Sequence, residues 1–288
     1  MKSDKFNKGD VLCSYKLDSK IHQGERAEVW TAIQPSTGKT VALKISHDAG
    51  TRQLADHAME VASRLEGADL ILVPLSSETV DGCVVTAMPL CNGRAVDAVA
   101  GAMTRETQLW RLICDIASAL EALHGAGLVH RSVSPQNILW NDGHFYLSGL
   151  GSCQEAGGHN GSPTADSRFS PPEINDGKAM APSDIWSLGA TVFNLYMGTN
   201  VFFGRGGGAQ KPQSPLPYMS NRLRQLSETV AQCLSYDPAS RPTAAALRQI
   251  AQERTENLAA AKATRQRRAT SPARGHDQGD DFWSEAMI

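Results

Sequence analysis

Between Ser183 and Leu195 apolar side chains recur on almost every side of a helical wheel, through Ile185, Trp186, Leu188, Ala190, Val192, Phe193 and Leu195. A helix with no polar face has to be enclosed by protein, so the chain must supply a helical body large enough to surround it. Part of that body lies from Thr104 to Leu123. There Leu109, Leu112, Ile113, Ile116, Leu120 and Leu123 fall at spacings of three and four, one buried helical face, closed by Gly125-Ala126-Gly127. Residues 14 to 45 read differently. Glu28-Val29-Trp30-Thr31-Ala32 and Thr40-Val41-Ala42-Leu43-Lys44-Ile45 are β-rich runs either side of the turn Pro35-Ser36-Thr37-Gly38, a hairpin pattern. A small sheet followed by a larger helical body is an α+β arrangement.

Composition removes several functional classes. The 288 residues are enough to bury a large core, and a formal net charge of -2 gives no reason to expect nucleic-acid binding. Met1-Lys2-Ser3-Asp4-Lys5 has no apolar run behind it, and no segment approaches the roughly eighteen apolar residues of a membrane helix. The expectation is a cytoplasmic or nuclear protein that is neither secreted nor membrane-bound. The 6 cysteines are scattered without C-x-x-C spacing, which argues against a zinc site and a disulfide framework.

One segment carries the chemistry. His130-Arg131-Ser132-Val133-Ser134-Pro135-Gln136-Asn137 keeps the frame of H-R-D-L-K-P-x-N with serine in place of aspartate, and Ser148-Gly149-Leu150-Gly151 stands where D-F-G is expected, with glycine in place of its aspartate. Val41-Ala42-Leu43-Lys44 matches V-A-I-K. Ile21-His22-Gln23-Gly24-Glu25-Arg26-Ala27-Glu28-Val29 sits at G-x-G-x-x-G-x-V and keeps only Gly24. Ser170-Pro171-Pro172-Glu173 resembles A-P-E, and Asp184-Ile185-Trp186-Ser187-Leu188-Gly189 and Asp237-Pro238 with Arg241-Pro242 follow in order. Over roughly residues 14 to 255 the chain therefore resembles the eukaryotic-type Ser/Thr protein kinase superfamily, as a degenerate member of the pseudokinase kind.

The resemblance implies a bilobal fold: an extension at 1–13, a β-rich small lobe with one regulatory helix at 14–88, a hinge and mainly helical large lobe at 89–259, and a disordered tail at 260–288. It places ATP-binding candidates at Ile21, Gly24, Val29, Ala42, Lys44, Glu60, Met88, Leu90, Cys91, Asn137 and Leu139. In that frame Glu60 belongs to the regulatory helix and pairs with Lys44, Met88 to Gly93 form the gatekeeper and hinge, and Leu139 closes the adenine site from below. Arg64 stands four places after Glu60, where the family packs an apolar residue, so the helix is rotated or the register is off by one. His130, Arg131, Glu173, Asp184 and Arg241 are structural in the family, with Glu173 and Arg241 forming an internal ion pair.

Ser132 and Gly149 are the degenerate catalytic positions. Phosphoryl transfer depends on a base and on metal-borne electrostatics, and neither a hydroxyl nor a glycine supplies them. No catalytic residue is intact and no metal ligand set remains. An asparagine amide is a poor magnesium ligand without a carboxylate, so Asn137 alone does not hold the ion and reads equally as a brace of its loop. Asp142 and Glu155 flank the missing ligand without reaching its place. The expected ligand is ATP, bound weakly and without magnesium. The expected role is that of a scaffold or allosteric partner of an active kinase or signalling complex; the alternative is a residual kinase or another kinase-fold transferase.

Two features lie outside that frame. The glycine-rich runs at Gly157 to Pro163 and at Gly204 to Gly208 read as flexible loops. The tail sets Lys262, Arg265, Arg267, Arg268 and Arg274 around Thr270-Ser271-Pro272 and ends in Asp280-Asp281-Phe282-Trp283, the pattern of a docking and regulatory element.

Overall fold

The computed structural model describes residues 6–25, 27–48, 50–65, 67–100, 105–158, 166–173, 177 and 180–270. It has the bilobal α+β architecture of a β-rich N-terminal region and a larger helical C-terminal region. The N-terminal sheet contains β1 (Val11–Leu12), β2 (Tyr15–Gln23), β3 (Ala27–Ile33), β4 (Thr40–Ser46), β5 (Ser76–Val80) and β6 (Cys83–Pro89), with α1 (Thr51–Ser63) between β4 and β5. Its strand order is β1-β2-β3-β4-β6-β5, and every pairing is antiparallel.

Alternation along the strands separates two faces. Trp30, Ala32, Val41, Leu43, Ile45, Val85 and Ala87 bury one face in a core of their own. Val29 pairs with Lys44 and Lys44 with Thr86, while Ala42 pairs with Met88, so these residues share the other face. Residues 6–13 of the expected extension are built into this lobe. Val11 and Leu12 pair with β2, and Phe6 and Leu12 are buried with Tyr15 against the sheet, because Trp30 and Leu43 offer an apolar face that needs a cover.

The strands β7 (Gly93–Arg94), β9 (Ile138–Asn141) and β10 (His144–Leu147) form a small second sheet that follows the Met88 to Gly93 segment. The helical body contains α2 (Ala95–Val99), α3 (Arg105–Gly125), α4 (Ala181–Met197), α5 (Arg224–Cys233) and α6 (Ala244–Thr270), with β8 (Leu128–Val129) and β11 (Gln154–Glu155) paired at its edge. As its composition dictates, α4 is the enclosed helix: Asp184 through Phe193 are buried in an unbroken run. Gly198 ends it in a left-handed conformation, φ 73°, that favours glycine. Among the described residues, no helix is long and apolar enough to cross a membrane.

Two expectations need correction. The run at Gly204 to Gly208 is not a flexible loop: Gly206 and Gly207 are buried, and a Cβ on either would collide with the backbone of Ser167 to Arg168 or Pro171 to Pro172. Gly207 N donates to Ser170 O at 2.8 Å. These glycines are there for close approach. The tail, placed from 260 and expected to start as a fraying helix before disorder, continues as α6 to Thr270. Its alanine- and arginine-rich end carries good helix formers, and residues 259–266 project into solvent. Phe282 and Trp283 lie outside the described residues, as do Ser162 and Thr164.

Candidate nucleotide site

The loop before β9 is hung from one carboxylate. Asp184 is fully buried in the first turn of α4 and accepts from His130 N (2.8 Å), from Arg131 N (2.8 Å) and from His124 Nε2 (3.0 Å). Arg131 occupies the left-handed region at φ 66°, a conformation that costs a non-glycine residue about 1 kcal/mol or more; the Asp184 bonds hold it there. His130 has its tautomer fixed. Ser132 N donates to Nδ1 at 3.2 Å, so the ring proton is on Nε2, which donates to Ser148 O at 2.9 Å. Complete burial pushes the imidazole pKa down, and the ring stays neutral.

The two degenerate positions meet at Asn137. Its Nδ2 donates to Ser132 O at 2.7 Å and to Ser132 Oγ at 2.9 Å, while its backbone carbonyl accepts from Ser148 N (2.8 Å) and Ser148 Oγ (3.0 Å). Gly149 follows with φ 92°, and a Cβ there would lie only 2.9 Å from Asn137 Cγ. The amide occupies the room that a side chain at 149 would need. As metal ligands these positions are poor: Gly149 has no ligand atom, Ser132 offers a neutral hydroxyl, and Asn137 Nδ2 is bonded to Ser132, which leaves the uncharged Oδ1 as the amide's ligand atom. Asp142 and Glu155 do not substitute, since Asp142 accepts from Asn92 Nδ2 at 3.2 Å and Glu155 pairs with Arg64.

Lys44 stands on the sheet face it shares with Val29, Ala42 and Met88. Its expected pairing with Glu60 is absent. Glu60 is exposed on α1 and lies against His57 of the same helix, Nδ1 to Oε2 at 3.5 Å. The reason is helical phase. Val61 and Leu65 are the residues that α1 and its end bury, so the position four before an apolar inward residue is His57, and Glu60 is turned away by about 100° per residue. His57 Nε2 donates to Cys153 O at 2.8 Å, and Arg64 donates to Ala126 O at 2.9 Å as well as pairing with Glu155. These contacts, which motif spacing did not reveal, tie α1 to the large lobe. Its backbone at Leu54 comes so close to Gly151 that no side chain fits there. Lys44 is open to solvent at its surface, yet desolvation of its ammonium lowers its pKa, with no carboxylate to oppose the shift.

Ile21 lies at a β-bulge between Lys20 and His22 with its side chain exposed, and Gly24 N is committed to Ala27 O at 2.9 Å across the hairpin. That backbone donor is not offered to a phosphate. Leu90 and Cys91 are half-buried in the segment joining β6 to β7, where burial pushes the Cys91 thiol pKa up, and Leu139 on β9 pairs with Arg94 on β7. Apolar residues therefore stand at the candidate base-binding positions, while the backbone donor at Gly24 is already used within the hairpin. Farther into the body, Arg241 Nη1 and Nη2 donate to the two oxygens of Glu173 at 2.6 and 2.9 Å, a bidentate pair with the Arg241 side chain fully buried.

Comparison with known proteins agrees with this geometry. The protein kinase domain family matches residues 15–253. The chain belongs to the protein kinase family. Serine/threonine-protein kinase PknK of Mycobacterium tuberculosis is 30% identical over 252 residues, 78% of this chain and 22% of that protein. PknJ of the same organism, also a serine/threonine-protein kinase, is 26% identical over 262 residues, 82% of the chain and 44% of the relative. Human serine/threonine-protein kinase DCLK2 is 28% identical over 259 residues, 81% and 33% respectively. The kinase domain thus spans less than half the length of each of these relatives.

Proposed function

We propose that this kinase domain is a pseudokinase, a binding module that does not transfer phosphate and acts as scaffold or allosteric partner of an active kinase or signalling complex. The observation that carries this reading is the closed triad of Ser132, Asn137 and Gly149. A kinase needs a proton acceptor at the first position and a metal-held negative charge at the last; here a hydroxyl and an absent side chain leave the asparagine amide bonded to protein. Without those charges the site has little means of stabilising a phosphoryl transition state. What remains supports weak, metal-indifferent nucleotide binding. Val29, Ala42, Met88 and Leu139 bury a base, the hinge backbone orients it, and Lys44 meets a phosphate without help from Glu60.

The test is incubation with ATP labelled separately on the α- and γ-phosphates, with magnesium and with manganese. No transfer of either label is expected. Transfer of γ-label that disappears in Lys44→Ala makes the protein a residual kinase, and transfer of α-label makes it a nucleotidyl transferase. Nucleotide at a hundred times its dissociation constant stabilises the fold by about 2.7 kcal/mol, and the resulting thermal shift should be the same with and without magnesium.

A further inference from the structure

On the far side of the sheet from Lys44, four polar residues line up under the apolar cover. Glu28 on β3 is buried, its side chain 3% exposed, and receives Lys20 Nζ on one oxygen at 2.9 Å. His47, just past β4, brings Nε2 to 3.6 Å from the other oxygen. The opposite ring nitrogen, Nδ1, lies 3.6 Å from Cys83 Sγ. Cys83 opens β6 directly after the Asp81-Gly82 turn and is itself buried, with the half-exposed imidazole at its sulfur.

We propose that Cys83 is an oxidative modification site, a thiol activated by His47 and Glu28 that reacts with small hydroperoxides. The arrangement is that of an activated nucleophile: a sulfur, a base in reach of it, and a carboxylate that orients the base and stabilises its protonated form. Lys20 already balances the Glu28 charge, so thiol with imidazole and thiolate with imidazolium have the same net charge, and no isolated buried ion is created by proton transfer. The ring turns a different nitrogen to each neighbour. One metal ion therefore cannot take Cys83, His47 and Glu28 together, which favours a nucleophile over a metal centre.

In the reaction His47 Nδ1 takes the thiol proton and the sulfur attacks one peroxide oxygen. The O–O bond breaks, and the departing hydroxide takes the proton from the imidazolium and leaves as water. Sulfur is oxidised by two electrons to the sulfenic acid and the peroxide is reduced to water. The other cysteines are poorer competitors. Burial pushes the thiol pKa values of Cys13, Cys91, Cys114, Cys153 and Cys233 up, with Glu78 adding to the effect at Cys13, and among the described residues none has an imidazole at its sulfur.

The test is exposure of the full chain to hydrogen peroxide with dimedone present, followed by peptide mapping of all six cysteines. Cys83 should acquire the sulfenic adduct about tenfold faster than any other, because the thiolate and not the thiol is the nucleophile. His47→Gln, checked for an unchanged melting temperature, should bring Cys83 down to the rate of the others. Labelling of Cys13 or Cys91 at the rate of Cys83 overturns the proposal. A rate at Cys83 that is unchanged or raised in His47→Gln also overturns it, because the imidazole is then a lid and not a base.

Discussion

Removing one member of the Glu173–Arg241 pair is the sharpest test of how the large lobe is held together. The Arg241 side chain is fully buried and bonds both oxygens of Glu173 together with the carbonyls of Pro182, Ser235 and Tyr236 at 2.9, 2.9 and 3.1 Å. Glu173→Gln leaves the three carbonyls but strips the guanidinium of its counter-charge. Arg241→Met leaves Glu173 buried with Ser183 Oγ at 2.8 Å as its remaining donor. Breaking a buried pair in this way costs about 3–5 kcal/mol. In a domain of this size each kcal/mol moves the melting temperature by roughly 2–4 °C, so either variant should melt about 6–20 °C lower. Urea titration with fluorescence and calorimetry should agree on the loss. The double variant Glu173→Leu with Arg241→Met should lose much less than the two single losses added, since neither charge is left alone. Single variants that lose under about 1 kcal/mol, or a double variant that simply adds, would refute the claim that uncompensated charge is the source of the effect.

Restoring the acids, Ser132→Asp with Gly149→Asp, should not produce magnesium-dependent phosphotransfer. It should destabilise by about 1–3 kcal/mol, because a side chain at φ 92° must displace the Asn137 amide; radiometric transfer and a thermal melt read the two effects. Lys44→Met should leave the melting temperature unchanged or higher, since the ammonium is desolvated and lacks the Glu60 partner, and should abolish any nucleotide-induced shift; a clear fall in stability would mean that Lys44 has a structural acid. Arg64→Ala removes one member of an exposed ion pair and should leave the melting temperature nearly unchanged, yet hydrogen exchange in α1 should rise because the helix loses its tie to Ala126 O. Deleting residues 264–288 should leave melting within about 0.5 kcal/mol of the full chain, since 264–266 are exposed; a steep loss would show that the tail packs on its own lobe.

The legible parts of this chain were those where a residue type and a burial requirement coincide. Asp184, Glu173 and Arg241 stand in motifs, and each is a charge that a helical body tolerates only with partners, so their roles follow from type and order together. The face of β3 and β4 that carries Val29, Ala42 and Lys44 follows from the alternation of side chains along a strand. The phase of α1 was not legible. Its amphipathic stretch offers Glu60 as a chemically attractive partner for Lys44, but Val61 and Leu65 are the larger apolar groups, and burying them decides the rotation in favour of His57. Arg64, out of place for a Glu60 register, was the one sequence sign of this. Composition misled in the other direction at Gly206 and Gly207, because a glycine run has the same letters whether it is loose or packed flat beneath Pro171 and Pro172.

The losses at 132 and 149 are best understood as a single coupled change. A carboxylate at 132 would take the place of the hydroxyl that accepts from the Asn137 amide nitrogen and add a negative charge there; serine keeps the backbone carbonyl and offers only a neutral hydroxyl. Once held, the amide lies where a side chain at 149 would go, and glycine is the residue that tolerates both this contact and the left-handed backbone. Reverting either position alone therefore meets a site shaped by the other. In Ser132→Asp the new carboxylate faces an amide with no second acid to complete a metal site. In Gly149→Asp the new side chain meets an amide that Ser132 still holds in its way. The two hydrogen bonds from Asn137 to Ser132, worth roughly 1 kcal/mol each, are small beside the electrostatic stabilisation that phosphoryl transfer requires, yet they hold the amide where a side chain at 149 would have to go.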